Sequence, residues 1–293
     1  MSNPFERGLE SADLERFHER ALKVLEGSRI KEEDFIDASL EEKNSRAFAD
    51  AYPKETVERD LATIKRDEAH HLASEQAEGN AEAKMIADIF EVIVIEHGEL
   101  SEWFGSNAFT MKTSKYDDYE HGVDAVIEFR EDNPAESSHL GLATDVTFRS
   151  DSTSKFDRIK GLIEKGRLAS VKYFKGIHQF PEVVIGVDKK TVMELAELWA
   201  GNKNKALGEH RVQIMILMQA RAQLETFAQY ADSIGKGELA KAYRDSLGVI
   251  DAIFESKAEL VKKVAGELSD DAVHYNIMYT CARLKTSLQK KEV

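Results

Sequence analysis

Two aspartates, each in a short run of strand-forming residues, are the residues of this chain best suited to chemistry. Asp124 lies in the run HGVDAVIEF (121–129), and Asp145 lies in HLGLATDVTF (139–148). Aspartate is a poor strand former, so its charge among apolar neighbours must be paired, solvated or bound to a cation. Two carboxylates on neighbouring strands can converge on one divalent ion, which is a common basis of phosphodiester cleavage. We therefore predict a shared metal site. The alternative is that both are strand-end residues bonded to backbone or lysine.

The two runs resemble the PD-(D/E)XK nuclease superfamily, the restriction-endonuclease-like and Holliday-junction-resolvase-like fold. In that family a strand bearing an aspartate is followed, after a hairpin, by a strand bearing (Asp/Glu)-x-Lys. Asp124 matches the first acid and Asp145 the second, but Thr147 occupies the lysine position. The resemblance implies an α/β core, a small mixed sheet flanked by helices, with Mg²⁺ or Mn²⁺ as cofactor. Since the family's lysine positions or activates water, either another lysine replaces it here or the site does not cleave.

Two further residues complete the predicted site. Family members often carry a glutamate early in the helix before these strands, and Glu82 matches it. Helical spacing places Glu82 on the face of Met85 and Ile86, where it would support the metal, or it would simply favour the helix N-terminus. Lys155 opens the predicted helix after the second strand and is the expected replacement for the missing lysine. Lys160 is the weaker alternative.

Other acids lie close to the pair in sequence. We interpret Asp117 and Asp118 as turn residues that lead into the first strand, with an extension of the acidic site as the alternative. Glu128 shares a strand face with Asp124, because side chains alternate along a strand. The sequence leaves open whether Glu128 is a third ligand or an exposed edge charge.

A basic segment follows the acidic pair. The segment from Lys155 to Lys175 contains seven basic and two acidic residues, although the whole chain carries a net charge of −14. A local excess of positive charge beside an acidic site suits a nucleic-acid backbone. The alternative is a solvated helix face.

Composition limits the class of protein. The 293 residues are 42% hydrophobic and 32% charged, which suits a helix-rich protein without membrane spans. The N-terminus shows no apolar signal segment, and the single cysteine, Cys281, fits a reducing cytoplasm. The pattern divides the chain into a helical region (1–77), a PD-(D/E)XK-like α/β core (78–203) and a second helical region (204–293).

Three hypotheses follow from the sequence. The first is a divalent-metal-dependent nuclease that cleaves DNA or RNA, with Asp124, Asp145 and Glu82 at the metal and Lys155 assisting. The second is a catalytically inactive binding or assembly module with the same fold, which Thr147 and the negative net charge favour. The third is a helical protein-interaction scaffold, because both helical regions are long enough to dock a protein partner.

Overall fold

The computed structural model describes residues 4–29, 52–75, 80–130, 138–145, 151–174 and 179–289. It shows a mixed α/β protein in which helices flank a small four-stranded mixed sheet. The predicted fold class is confirmed at this level. Within the described ranges, no helix combines the length and the apolarity needed to cross a bilayer.

Helices form both ends of the described chain. Three precede the sheet: α1 (Pro4–Ser28), α2 (Lys54–Glu75) and α3 (Asn80–Leu100). One lies within the α/β region: α4 (Asp151–Glu164). Six follow the last strand: α5 (Lys189–Ala200), α6 (Asn204–Gly208), α7 (Val212–Ser233), α8 (Gly237–Ser256), α9 (Ala258–Val264) and α10 (Ala272–Gln289). The predicted helix near 40–51 lies outside the described residues.

The strands form one main sheet and one short ribbon. The main sheet has the order β1 (Ala108–Lys112), β2 (Ala125–Phe129), β3 (Ser138–Asp145) and β6 (Glu182–Gly186). The first three strands are antiparallel neighbours, and β3 pairs in parallel with β6, which the chain reaches through α4. The ribbon joins β4 (Ala169–Ser170) to β5 (Gln179–Phe180). The predicted antiparallel pairing of the two aspartate-bearing runs is confirmed.

One hydrophobic core connects the sheet to helices from both ends of the chain. Its buried members include Phe17 of α1, Phe90 of α3, Leu140 of β3 and Phe227 of α7. Phe156, Ile159 and Ile163 also belong to it, so α4 packs on the sheet through the three residues that the sequence predicts. Because helices of all three predicted regions share this core, they pack together. The predicted boundaries near 77 and 203 stay a prediction.

Two glutamines of α7 cover the outer edge of β6. Gln223 accepts a hydrogen bond from the Val184 amide at 2.8 Å, and its own amide donates to the Val184 carbonyl at 2.6 Å. Gln219 makes the same two bonds to Gly186, at 2.9 and 2.7 Å. Four residues of helix rise about 6 Å and two residues of strand advance about 6.6 Å, so the spacings match. The two side chains therefore replace a fifth strand and satisfy an otherwise unpaired edge.

Candidate active site

The backbone brings the two predicted aspartates to the same end of two central strands, where β2 begins and β3 ends. Asp124 immediately precedes β2, and its carbonyl accepts hydrogen bonds from the amide and the hydroxyl of Thr113, at 3.2 and 3.1 Å. Asp145 is the last residue of β3 and pairs with Gly186. Since β2 and β3 are antiparallel, with Ala125 opposite Leu142, the start of one strand adjoins the end of the other. The Asp145 side chain and Thr147 lie outside what the structure describes.

Asp124 belongs to a cluster of buried charges. Its carboxyl group is hydrogen-bonded to that of Asp118. Asp118 Oδ2 lies 3.1 Å from Lys112 Nζ and 3.1 Å from Arg29 Nη2, and Lys112 also pairs with Glu91 of α3. The Lys112 side chain is fully buried. The cluster thus places three carboxyl groups around one buried ammonium and one guanidinium.

The three buried partners titrate differently because their surroundings differ. Burial raises the pKa of Glu91 to about 7, helped by the charges of Asp124 and Asp118 and opposed by Lys112. Burial alone would lower the pKa of Lys112, but Asp118 and Glu91 outweigh it and hold that pKa above its ordinary value. Burial would likewise raise the pKa of Asp118, but Lys112 and Arg29 hold it well below its ordinary range. The surroundings thus favour the charged forms of Lys112 and Asp118 and disfavour the charged form of Glu91.

A π-helical turn (Asp117–His121) delivers Asp118 to this cluster. The turn ends at Gly122, whose positive φ of 70° suits glycine. The Asp117 carboxylate is fully buried and holds the turn in place. It accepts hydrogen bonds from the amides of Lys172 and Tyr173, at 2.6 and 2.9 Å, and from the Ser114 hydroxyl at 3.0 Å, and it pairs with His121. Asp117 is therefore structural, while its neighbour Asp118 pairs with Lys112 and Arg29. That Asp118 extends a metal site stays a prediction.

A second ion pair, with a buried carboxylate, interacts electrostatically with Asp124. Glu182 of β6 is completely buried and accepts hydrogen bonds from Arg158 of α4 at both carboxylate oxygens. Arg158 also donates to the carbonyls of His121 and Gly122, at 2.7 and 3.1 Å, so it connects α4 to the π-helical turn. Burial raises the pKa of Glu182 to about 7. Arg158 opposes that rise, Asp124 adds to it, and Lys155 lowers it slightly. Asp124 thus interacts electrostatically with both buried glutamates, Glu91 and Glu182.

The structure places the other predicted residues unevenly. Lys155 lies in the second turn of α4, which begins at Asp151, and its charge acts on Glu182. Glu82 lies in the first turn of α3, where it is half-exposed and pairs with Lys189 of α5 at 2.5 Å. Its role at a metal stays a prediction. Glu128 lies on β2, a central strand of the sheet, and its side chain is 20% exposed and pairs with Arg130 at 2.9 Å, so it is not an exposed edge charge. Its role as a third ligand stays a prediction.

Much of the basic segment is neutralised within the protein. Arg158 pairs with Glu182, Lys160 with Asp157 at 3.2 Å, and Lys172 with Asp60. Lys165 and Arg167 are exposed. Lys175 lies outside the described residues. The described part of the segment therefore offers less free positive charge than its composition indicates.

Sequence reasoning missed Glu91, Lys112 and Glu182. Glu91 carried a signal, because it is the only charged residue in Ile89–Ile95, a helical segment whose other residues are apolar on every face. Such a segment is buried on all sides, and a carboxylate inside it needs a charged partner. That partner, Lys112, comes from the tertiary fold. Glu82 shares the stripe of Ile86 and Ile89 but lies in the first turn of α3, where its side chain remains half-exposed.

Comparison with known proteins adds no relative: no family model, curated protein or solved structure matches the chain.

Proposed function

We propose that the protein is a divalent-metal-dependent nuclease that cleaves phosphodiester bonds at the end of the sheet where β2 begins and β3 ends. The observation that carries this proposal is the meeting of Asp124 and the Asp145 backbone at that end, beside Asp118 and Glu91. The element order supports it as well. A helix (α3), an antiparallel pair of aspartate-bearing strands, a further helix (α4) and a parallel strand (β6) follow the order that suggested the PD-(D/E)XK resemblance.

The metal assignment rests on the chemistry of the acids. Asp118 and Asp124 are two neighbouring acids, and like charges at that distance need a shared proton or nearby cations. Lys112 and Arg29 supply cations at Asp118, and a divalent ion would supply one at Asp124. Asp124 and Asp145 would hold Mg²⁺ or Mn²⁺, and Glu91 is better placed than Glu82 to support it. Within the described residues no three acidic, histidine or cysteine side chains are arranged to hold a metal ion, and Asp145 is needed to complete the set. A bound cation would lower the pKa of its water and offset charge on the phosphate.

The chain offers two lysines in place of the one missing at Thr147. Lys155 is the predicted replacement, and its charge acts on Glu182. Lys112 lies beside Asp118 but is held by two carboxylates and fully buried. Arg29 contributes a different group, because its Nη1 is buried and has no hydrogen-bond partner among the described residues. An anionic phosphate oxygen is the natural acceptor for such a donor.

The experiment compares purified variants on labelled duplex DNA, single-stranded DNA and RNA, with Mg²⁺ or Mn²⁺. We expect cleavage that EDTA and Asp124→Ala abolish and that Lys155→Ala reduces sharply. Lys165→Ala is the matched control, because it removes an exposed lysine from the same segment and should cleave normally. Calorimetric Mn²⁺ titration should show a site that Asp145→Asn weakens.

Each failure has a separate meaning. Normal cleavage by Lys155→Ala with none by Asp124→Ala rejects the lysine assignment and keeps the nuclease, with Lys112 the next lysine to test. Equal Mn²⁺ binding by wild type and Asp145→Asn rejects the metal assignment. Cleavage that survives Asp124→Ala rejects the site.

The second candidate is a catalytically inactive binding module with the same fold. Thr147 favours it, as does the pairing of Arg158 and Lys172 with the buried carboxylates of Glu182 and Asp60. It predicts no cleavage under any metal condition. Salt-sensitive binding would then point to nucleic acid, and its absence to a protein partner.

A further inference from the structure

The side chain of Lys172 lies in a cage of three tyrosine rings and one buried carboxylate. Its Nζ is 5.2 Å from the ring centre of Tyr52, 5.1 Å from Tyr116 and 5.4 Å from Tyr173. Asp60 of α2 completes the cage through an ion pair with the same ammonium, and the Asp60 side chain is only 4% exposed. All three distances are within the roughly 6 Å over which a cation is attracted to an aromatic face.

The cage is held together independently of the lysine. The Tyr173 ring packs 5.5 Å from Tyr52 at 59° and 5.6 Å from Tyr116 at 85°, so the three rings enclose a space on different sides. The Tyr173 hydroxyl donates to Asp60 at 2.8 Å, and the Tyr52 hydroxyl donates to the Lys172 carbonyl at 2.7 Å. The walls therefore have their own contacts, and removal of the Lys172 side chain would leave a space rather than a set of unsupported rings.

An assembly of aromatic faces with one carboxylate is the chemistry that recognises alkylammonium ions. Each ring attracts positive charge through its face, and a methylated ammonium also buries its methyl groups against the rings. Asp60 supplies the counter-charge. An ordinary surface lysine pairs with one exposed carboxylate, and such a pair stabilises a fold very little. Three ring faces around one ammonium are not needed for that.

We propose that Tyr52, Tyr116, Tyr173 and Asp60 form an alkylammonium-binding cage in which Lys172 is a tethered ligand. The tether fastens α2, which carries Asp60, to the segment 171–174 that precedes β5. The site accepts either a free small quaternary ammonium, when the lysine is absent, or the methylated form of Lys172 itself. This inference is independent of the proposed nuclease.

The first experiment empties the cage and refills it. Tetramethylammonium chloride is titrated into Lys172→Ala, with sodium chloride as the salt control, and binding is followed by calorimetry and by the thermal midpoint. We expect saturable binding and a raised midpoint for Lys172→Ala. Wild type, in which the cage is filled, and Lys165→Ala should show neither. Adding Asp60→Asn to Lys172→Ala should weaken binding at least tenfold. No binding to folded Lys172→Ala, or equal binding to wild type, overturns the free-ion part of the proposal.

The second experiment uses the intact chain and holds even where Lys172→Ala does not fold. All lysines are dimethylated with ¹³C-formaldehyde under reducing conditions, and the methyl resonances are recorded by NMR. Ring currents of three tyrosines should shift one resonance upfield of the others. That resonance should be missing in Lys172→Arg and should move back toward the main group in Tyr116→Leu. A spectrum without a shifted resonance overturns the cage for the methylated lysine.

Discussion

Gln223 provides a sharp test of how the sheet edge is stabilised. Gln223→Met keeps nearly the same side-chain volume and flexibility. It removes the side-chain oxygen that accepts from the Val184 amide and the side-chain nitrogen that donates to the Val184 carbonyl. It also removes the bond from Gln223 to the Gln219 carbonyl at 3.0 Å. Because α7 lies directly over this edge, water cannot replace the lost partners without opening the helix–sheet contact.

The magnitude follows from the two backbone groups left without partners. A buried donor or acceptor that loses its hydrogen bond costs about 1–3 kcal/mol, so the amide and carbonyl of Val184 together should cost about 2–6 kcal/mol. Apolar burial of the methionine offsets part of this loss, which brings the expected effect to about 2–4 kcal/mol. That is a large part of the 5–15 kcal/mol by which a typical domain is stable.

Equilibrium unfolding in urea, followed by far-ultraviolet circular dichroism, measures the loss. Gln229→Met is the matched control, because Gln229 is an exposed glutamine on the same helix whose side chain bonds to Glu225 at 3.2 Å. We expect a change within about 0.5 kcal/mol for the control. If Gln223→Met loses no more than the control, the view that glutamines substitute for a fifth strand is refuted.

Three further predictions concern buried ionisable groups. Lys112→Met should lower the free energy of unfolding by about 3–5 kcal/mol, because it leaves buried carboxylates unpaired. Adding Glu91→Gln to Lys112→Met should recover part of this loss, as measured by urea titration. A double variant no more stable than Lys112→Met would contradict the pairing of Glu91 with Lys112. Since the pKa of Glu91 is raised to about 7 in the folded protein, its contribution to stability is full below about pH 4.5 and is lost as pH rises through 7. The stability of wild type relative to Glu91→Gln should therefore fall from pH 5 to pH 8 in urea titrations, and a flat or rising difference would refute the sign. Burial raises the pKa of Cys281 to about 12, so a thiol reagent should label it at pH 8 in urea but not in the native protein; rapid native labelling would contradict its burial.

The sequence predicts the strand pair well because the signals are local. Alternating β-branched and aromatic residues mark β2 and β3, and the polar stretch between them indicates a hairpin. The run ASVKYF (169–174) likewise predicts a six-residue strand from its sequence, but only Ala169–Ser170 form one. The amides of Lys172 and Tyr173 donate to the Asp117 carboxylate instead of to a neighbouring strand. The Asp117 carboxylate, more than 50 residues away in sequence, thus ends the strand. The strand propensity of residues 169–174 cannot predict this interaction.

The candidate site was predictable only in part for the same reason. Asp124 and Asp145 can be identified from the sequence because each is an acid among strand-forming apolar residues. Glu91 and Lys112 become meaningful only when α3 lies against β1, a contact that no local pattern specifies. The sequence also predicts one continuous helix from Leu239 to Ala265. The structure instead has two helices there, because α8 ends at Ser256 and α9 begins at Ala258. Between them, Lys257 donates at 2.8 Å to the Glu102 carbonyl and at 2.8 Å to Gln213, which are distant partners.

The π-helical turn connects the caged lysine to the acidic cluster through three consecutive residues. Tyr116 is a wall of the cage, Asp117 fastens the turn to the amides of Lys172 and Tyr173, and Asp118 pairs with Lys112 beside Asp124. A turn this short cannot move at one end alone, because Asp117 is buried and bonded on all sides between the two. The Asp117 carboxylate, rather than the ammonium in the cage, therefore fixes the turn that carries Asp118. On this reasoning, Asp117→Asn should perturb the Asp118–Lys112 pair, whereas Lys172→Ala, which keeps the backbone amides that bind Asp117, should leave that pair in place.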